Sequence, residues 1–364
     1  MSRKRVIIMA DLLTGLATVA LLILASAGQL LPWHIYLASA LSGVFGTFHF
    51  LAFSTSITLM IPKAQYTRAN SLLSLAHYSS VVAAPVLAGL LIAPIGISGV
   101  MLIDIFTFLF AVTTVSMVTI PGVLQSGDGD AKGWAAFSFG FRYIRSRRPL
   151  LGLMLVMFAF SLFESFGYPL IAPMVLARTG GDEVVLGLVQ SVLGIGGIVG
   201  GAIVSVWGGF RQKVYGVLAG LLLTGLFGDA LMGLGSGLPV WLPAAIFLEL
   251  FIPLVISSNN AIWQSKVPPE QQGRVFAARS MVSGLGEPAA ILCTGLLADK
   301  VFEPAMLPGG VLTPLLGGVL GTGPGAGMAV LLVICGLLSA AVAVWGYLAQ
   351  PVREIETILP DHDG

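Results

Sequence analysis

Ten stretches of about 20 or more mostly apolar residues constrain this chain more than any other feature. They lie at roughly 6–26, 34–61, 70–92, 97–120, 150–176, 184–207, 213–234, 240–265, 275–298 and 327–348. Each is long enough to cross the hydrocarbon core of a bilayer as a helix, and in lipid a backbone must satisfy its own hydrogen bonds. The stretches are too long and too uniformly apolar for barrel strands, which are about ten residues long and alternate. Composition agrees, with 56% hydrophobic and 10% charged residues and a mean hydropathy of +0.95. Soluble domains carry roughly 25% charged residues. The sequence therefore predicts an all-α polytopic membrane protein with about ten transmembrane helices.

The basic residues test this drawing, because cytoplasmic loops collect lysine and arginine. Arg3, Lys4, Arg5, Lys63, Arg68, Lys132, Arg142, Arg145, Arg147, Arg148, Arg211, Lys213, Lys266, Arg274, Arg279 and Arg353 all fall on one side. Only Arg178 and Lys300 fall on the other. This predicts a multi-pass protein of the plasma (inner) membrane with both termini cytoplasmic. The first apolar run follows Arg3-Lys4-Arg5 and is long enough to span, so no cleaved signal peptide is expected. A formal net charge of +1 gives no reason to expect a nucleic-acid partner. Cys293 and Cys335 lie inside apolar runs and read as packing residues, with no disulfide framework or metal spacing.

The chain repeats itself at an offset of about 206 residues. Pro62, Gln65 and Arg68 recur as Pro268, Gln271 and Arg274, and Gly89-Leu90-Leu91 recurs as Gly295-Leu296-Leu297. Repeated halves in an apolar chain are a common plan of secondary transporters, with the substrate path between the halves. Arg3-Lys4-Arg5-Val6 aligns with Arg211-Gln212-Lys213-Val214, which opens the third helix of the second half. The expected division is four helices in residues 1–120, a cytoplasmic linker at 121–149, six helices in 150–350 and a cytoplasmic tail at 351–364. Two helices before Met1 are expected to be missing. Within the linker, Trp134 to Arg148 reads either as no more than a basic topology anchor or as a surface helix, with Phe137, Phe141 and Ile144 towards lipid and its arginines towards headgroups or phosphate. The glycine- and proline-rich interval 300–326 reads as an external loop.

At these motifs the chain resembles the major facilitator superfamily, in the branch of bacterial drug and siderophore exporters of the enterobactin and macrolide type. Arg3-Lys4-Arg5 resembles the basic tail of the cytoplasmic signature between family helices two and three, although the glycine and Asp-Arg head of that signature is absent. The segments ending Thr67-Arg68-Ala69-Asn70 and Gly273-Arg274-Val275-Phe276 resemble the loops after helices four and ten. Ala84-Pro85-Val86-Leu87-Ala88-Gly89 resembles a degraded form of the antiporter motif of helix five, and Phe141 to Pro149 the basic entry to helix seven. The resemblance implies a two-bundle fold (4 + 6 helices here) and a signature and gating set of Arg3, Lys4, Arg5, Asp11, Arg68, Pro85, Gly89, Arg274 and Pro288. The membrane arginine linked to proton coupling in many antiporters is absent from 34–61.

An ionisable group inside a membrane costs about 2.5–3.5 kcal/mol on insertion scales, so each needs a partner or a task. The family plan places Asp11, Asp104 and Asp229 on supporting helices, where pairing with a helix end or neighbouring loop is expected. Glu164 and Glu249 fall on cavity-lining helices. A low-dielectric cavity favours the neutral carboxyl, which can take a proton from one side and release it to the other. Each is a candidate for proton or cationic-substrate binding, or else an internally hydrogen-bonded acid. Glu287 precedes Pro288 and can either carry protons or satisfy the carbonyl that proline frees. His49 and His77 can titrate or simply pack. Asn259 and Asn260 can bind substrate or hydrogen-bond between helices, and Gly196-Gly197 with Gly200-Gly201 read as close-packing GxxxG pairs.

There is no phosphate-cradling GxxxxGK loop and no nucleophile, base and acid that can be grouped outside the membrane, so neither ATP-driven transport nor an enzyme is expected. The resemblance implies a secondary active transporter, exporting a small amphiphilic molecule by alternating access with protons as the coupling ion. No cofactor is implied, and a monomer in the lipid bilayer is expected. The alternative is a non-transporting fragment, a misassigned start, or a membrane interaction protein derived from such a transporter.

Overall fold

A computed structural model describes residues 3–119, 121 and 134–362, apart from the side chains of residues 134–137 and 285. Lys132, the rest of linker residues 122–133 and the side chain of Phe137 thus lie outside the described residues. Among the described residues there is no strand. The first-half helices are α1 (Arg3–Ser26), α2 (Pro32–Met60) and α3 (Tyr66–Met117). The second half follows as α4 (Trp134–Arg145), α5 (Arg148–Gly167), α6 (Ile171–Thr179), α7 (Glu183–Trp207), α8 (Lys213–Leu223), α9 (Leu231–Leu234), α10 (Leu238–Leu250) and α11 (Ile252–Lys266). The chain closes with α12 (Pro269–Leu297), α13 (Glu303–Met306), α14 (Thr313–Leu320), α15 (Ala326–Leu348), α16 (Gln350–Arg353) and α17 (Ile355–Ile358).

Among the described residues nine helical stretches are long and apolar enough to cross a membrane. One of them, Lys63–Met117, has 55 residues. At 1.5 Å per residue it would reach about 80 Å, more than twice a bilayer core of about 30 Å. It breaks at Gly96, whose φ of 64° and ψ of 177° suit only glycine. The stretch is therefore two crossings, and the ten predicted spans are all present.

Proline and a wide turn interrupt two other spans. Pro253 has no N–H to offer the carbonyl of Glu249, and the helix divides at Phe251 into α10 and α11. Between α8 and α9, Thr224–Ala230 widens into a π-helical turn that carries Asp229. Such turns favour functional positions because they reorient side chains within a helix.

The two GxxxG pairs of α7 serve different neighbours. A Cβ on Gly196 would lie 2.7 Å from the Ile246 carbonyl oxygen, and one on Gly200 2.1 Å from that of Leu250, so this pair brings in α10. On the adjacent face, Gly197 and Gly201 admit Tyr78 and Leu75 of α3, the former at 2.2 Å. One pair packs the second half and the other joins the two halves.

Three expectations change. The segment at 134–148 is helical from Trp134 to Arg145, but Ile144 is 1% exposed and Tyr143 7%, both within the main apolar core. Gly140 lets α4 lie against the backbone of Arg274 on α12, which turns that face inward and away from lipid. The interval 300–326 contains α13 and α14, and Arg178 and Glu303 order it. Arg178 donates to the carbonyls of Gly235 and, at 2.7 Å, Leu320. Glu303 accepts from the backbone of Gly325 (3.1 Å) and Met328 (2.9 Å), capping α15. Finally, Cys335 is buried as expected but Cys293 is exposed.

Candidate substrate and proton site

At the end of the molecule that holds Lys63 and Lys266, hydrogen bonds close the two halves on each other. Asn70 of α3 donates to Gln264 of α11 at 2.7 Å, and Gln264 donates to the Ser54 carbonyl of α2 at 3.0 Å. Thr58 donates to Gln272 at 2.9 Å, and Arg3 to the Pro269 carbonyl at 2.6 Å. The C-terminal segment closes the same end. Val352 and Ile355 bury in the second-half core, Asp361 pairs with Lys266 at 2.8 Å, and Lys63 of the first half donates to the His362 carbonyl.

Beyond this seam lies a cavity of about 680 Å³ between α2, α3 and α11. Its walls are Gly46, His49, Phe50 and Phe53 of α2, Asn70, Leu73, Ser74, His77 and Tyr78 of α3, and Ile256 and Asn260 of α11. The lining is aromatic and aliphatic with a few neutral hydrogen-bonding groups, the usual character of a small-molecule pocket. His49 lies 3.4 Å from Asp11 of α1. Asp11 therefore pairs with a histidine on the neighbouring helix, where a helix end or loop was expected. Asn260 accepts from Arg279 at 2.9 Å, whereas Asn259 faces its own helix and accepts from Trp263 at 3.1 Å.

Behind the cavity wall three carboxyl groups converge from three helices. Tyr78 donates to Glu249 of α10 at 2.6 Å, a bond between the halves that Gly197 makes possible. Glu249 is 9% exposed. On α5, Glu164 faces Asp229, and the two carboxyl groups are within hydrogen-bonding reach of each other. Among the described residues no donor is hydrogen-bonded to Oε1 of Glu164 or to either oxygen of Asp229, which is 1% exposed. Asp229 thus joins an acid of the site, contrary to the expected pairing with a helix end or loop. The wide turn before α9 aims it inward. Its supporting-helix position hid it from sequence reasoning.

The remaining candidates stand apart. Glu287 and Pro288 are exposed on α12, and Glu287 makes no side-chain hydrogen bond among the described residues. Asp104 is likewise exposed, with no partner for its carboxyl among the described residues, so the expected helix-end pairing is not seen. Pro85 and Gly89 lie on an open face of α3. Lys4 caps the end of α3 through the carbonyls of Ser116 (2.6 Å) and Val118 (2.8 Å), while Arg5 is exposed. Arg68 packs on Gly208 after α7, and Arg274 lies 5.2 Å over the Phe139 ring. Gln264, Gln272, Thr58 and Tyr78 were not singled out from sequence. For Thr58, Tyr78 and Gln264 the cue was polarity inside apolar runs, whereas Gln272 lies in the polar interval between two spans.

Two helical halves around a shared cavity, with acids buried behind its wall, define a membrane transporter architecture, and the chain belongs to the Major Facilitator Superfamily, whose family model matches residues 1–291. It is similar to Macrolide efflux protein A of Streptococcus pyogenes, 24% identical over 82% of this chain and 74% of the relative. The protein of the same name from Enterococcus faecalis is also 24% identical, over 79% of this chain and 90% of the relative. Among solved structures, the E. coli fucose:proton symporter superposes with a TM-score of 0.66 at 14% identity, over 95% of this chain and 84% of that one. A bacterial homologue of the iron transporter ferroportin in an outward-facing state gives 0.59 at 15%, over 95% and 83%. At such identities these two structures establish the fold.

Proposed function

We propose that the chain is a secondary active exporter that moves a small amphiphilic molecule out of the cell in exchange for protons by alternating access. The carrying observation is the cavity between the halves, whose wall residue Tyr78 is bonded to the buried acid Glu249 of the opposite half. The cavity lining suits a ligand with a broad apolar surface and few polar groups, and the relatives' names point to efflux. Glu249 and Glu164 are the proton-handling acids in this reading, and His49 and Asn260 contact the substrate. The seam at the Lys63 and Lys266 end faces the cytoplasm in accordance with the basic residues gathered there. It opens when the halves rock and closes when the cavity faces outward.

The test is proton-linked flux in proteoliposomes. With a panel of fluorescent amphiphiles and a lumenal pH dye, wild type should change lumenal pH when a transported dye is added. Glu164→Gln and Glu249→Gln should abolish that signal. Unchanged proton-linked flux in both variants overturns the assignment.

A further inference from the structure

The acids behind the cavity can be resolved further. Gly167 lies one turn after Glu164 on α5, and a Cβ there would sit 3.8 Å from Oδ1 of Asp229, so the two acids share one side of that helix. On the other flank, α15 presses on the wide turn so closely that a Cβ on Gly336 would be 2.8 Å from the Cβ of Asp229. Gly167 and Gly336 thus bring α5 and α15 close against Asp229, and among the described residues no donor is hydrogen-bonded to its carboxyl, which faces the carboxyl of Glu164. The other titratable groups facing the pair are Glu249 of α10, Tyr168 after α5, Tyr78 of α3 and Cys335 of α15. None of them is a cation. Among the described residues neither acid forms an ion pair with Lys, Arg or His.

Two carboxylates cannot hydrogen-bond to each other, because neither has a hydrogen to give. Two unscreened anions at such range in a buried site repel strongly, as in carboxyl dyads that retain one proton between them. One proton removes both difficulties. It supplies the O–H donor and leaves a single delocalised charge.

We propose that Glu164 and Asp229 form one proton-binding site holding a single shared proton in this conformation, and that Glu249 and Tyr78 link this site to the cavity. The inference deepens the proton-coupling reading and makes Asp229 half of the coupling site. Asp229 does not line the cavity, so substrate reaches the pair through Tyr78 and Glu249. When rocking of the halves breaks the Tyr78 bond, Glu249 loses its donor and competes for the shared proton. Movement of the halves and movement of the proton are thereby coupled.

Infrared difference spectroscopy of the purified protein in sodium-free lipid nanodiscs tests the pair without any substrate. Wild type should show the carbonyl stretch of a buried carboxylic acid, shifted in D₂O. Glu164→Gln and Asp229→Asn should each lose the same band, since an amide then donates to the remaining carboxylate. Both variants keep a donor and should fold, judged by monodispersity and helical circular dichroism. Should either fail to fold, Glu164→Asp and Asp229→Glu, which keep the pair, should each move the band. A band that persists in Asp229→Asn, or is lost only in Glu164→Gln, overturns the shared proton. Loss of the wild-type band on adding sodium chloride also overturns it, by showing a metal cation in place of the proton. If the band behaves as expected but flux proves independent of the proton gradient, the pair stands and the coupling reading fails.

Discussion

Replacing Gln264 with leucine should shift the balance between the two orientations of the halves, and the size of the shift follows from the bonds it removes. Gln264 is fully buried and holds two other helices at once, accepting from Asn70 at 2.7 Å and donating to the Ser54 carbonyl at 3.0 Å. Both bonds cross between the halves and exist only while this end is closed. A net contribution of about 0.5–1.5 kcal/mol per hydrogen bond gives a loss of about 1–3 kcal/mol in the closed conformation alone. Leucine fills similar volume, so the packing cost is expected to be small. The population ratio should therefore move roughly 5- to 150-fold towards the conformation open at this end. Spin labels at Gln65 and Glu270, exposed on opposite halves of the same end, would report it as a longer distance in pulsed electron resonance. The exposed Cys293 must first be changed to serine. Asn70→Leu removes one of the same bonds, so the double variant should shift less than the sum of the singles. A Gln264→Leu distance distribution within two-fold of wild type would refute the view that this seam holds the halves together.

The other expectations concern single contacts. Tyr78→Phe removes the donor to Glu249 and should slow proton-linked flux by about ten-fold or more, from the roughly 1.5–3 kcal/mol of a hydrogen bond to a charged group; unchanged flux would place the bond outside the coupling path. Gly200→Leu would drive a Cβ to 2.1 Å from the Leu250 carbonyl oxygen and should destabilise by about 1–3 kcal/mol or more in detergent melting. Gly89→Ala, with nothing within 4 Å, should be neutral or stabilising by up to about 1 kcal/mol in the same assay. Glu303→Ala removes both acceptors at the start of α15 and should cost about 1 kcal/mol by the same melting measurement. Deleting residues from 360 onward removes Asp361 and His362 and should shift the Gln65–Glu270 distance in the same direction as Gln264→Leu.

The ten crossings were legible because hydropathy is a local sum over about 20 residues: Pro253 does not lower it enough to end a span, and Pro94 and Gly96 mark the break in a continuously apolar run. The GxxxG pairs were legible as contact surfaces, since a glycine spacing of four marks one face of a helix. Which neighbour each face meets was not, because that choice belongs to the partner helix. Glu164 and Glu249 could be marked from sequence by the cost of a charge in an apolar run. The same cost marked Asp229 and Glu287 equally, and nothing local distinguishes an acid turned inward by a widened turn from one left exposed beside a proline.

Chain order and composition therefore determine that this protein spans a membrane many times, that it is built of two related halves, and that its buried acids are few. Tertiary structure alone decides that Tyr78 reaches Glu249 through the gap left by Gly197, that Asp229 meets Glu164, and that Gln264 binds two helices at once. The physical reason is range. Partition into lipid is paid residue by residue along the chain, whereas a hydrogen bond between helices depends on positions 171 to 210 residues apart and on the rotation of each helix about its own axis.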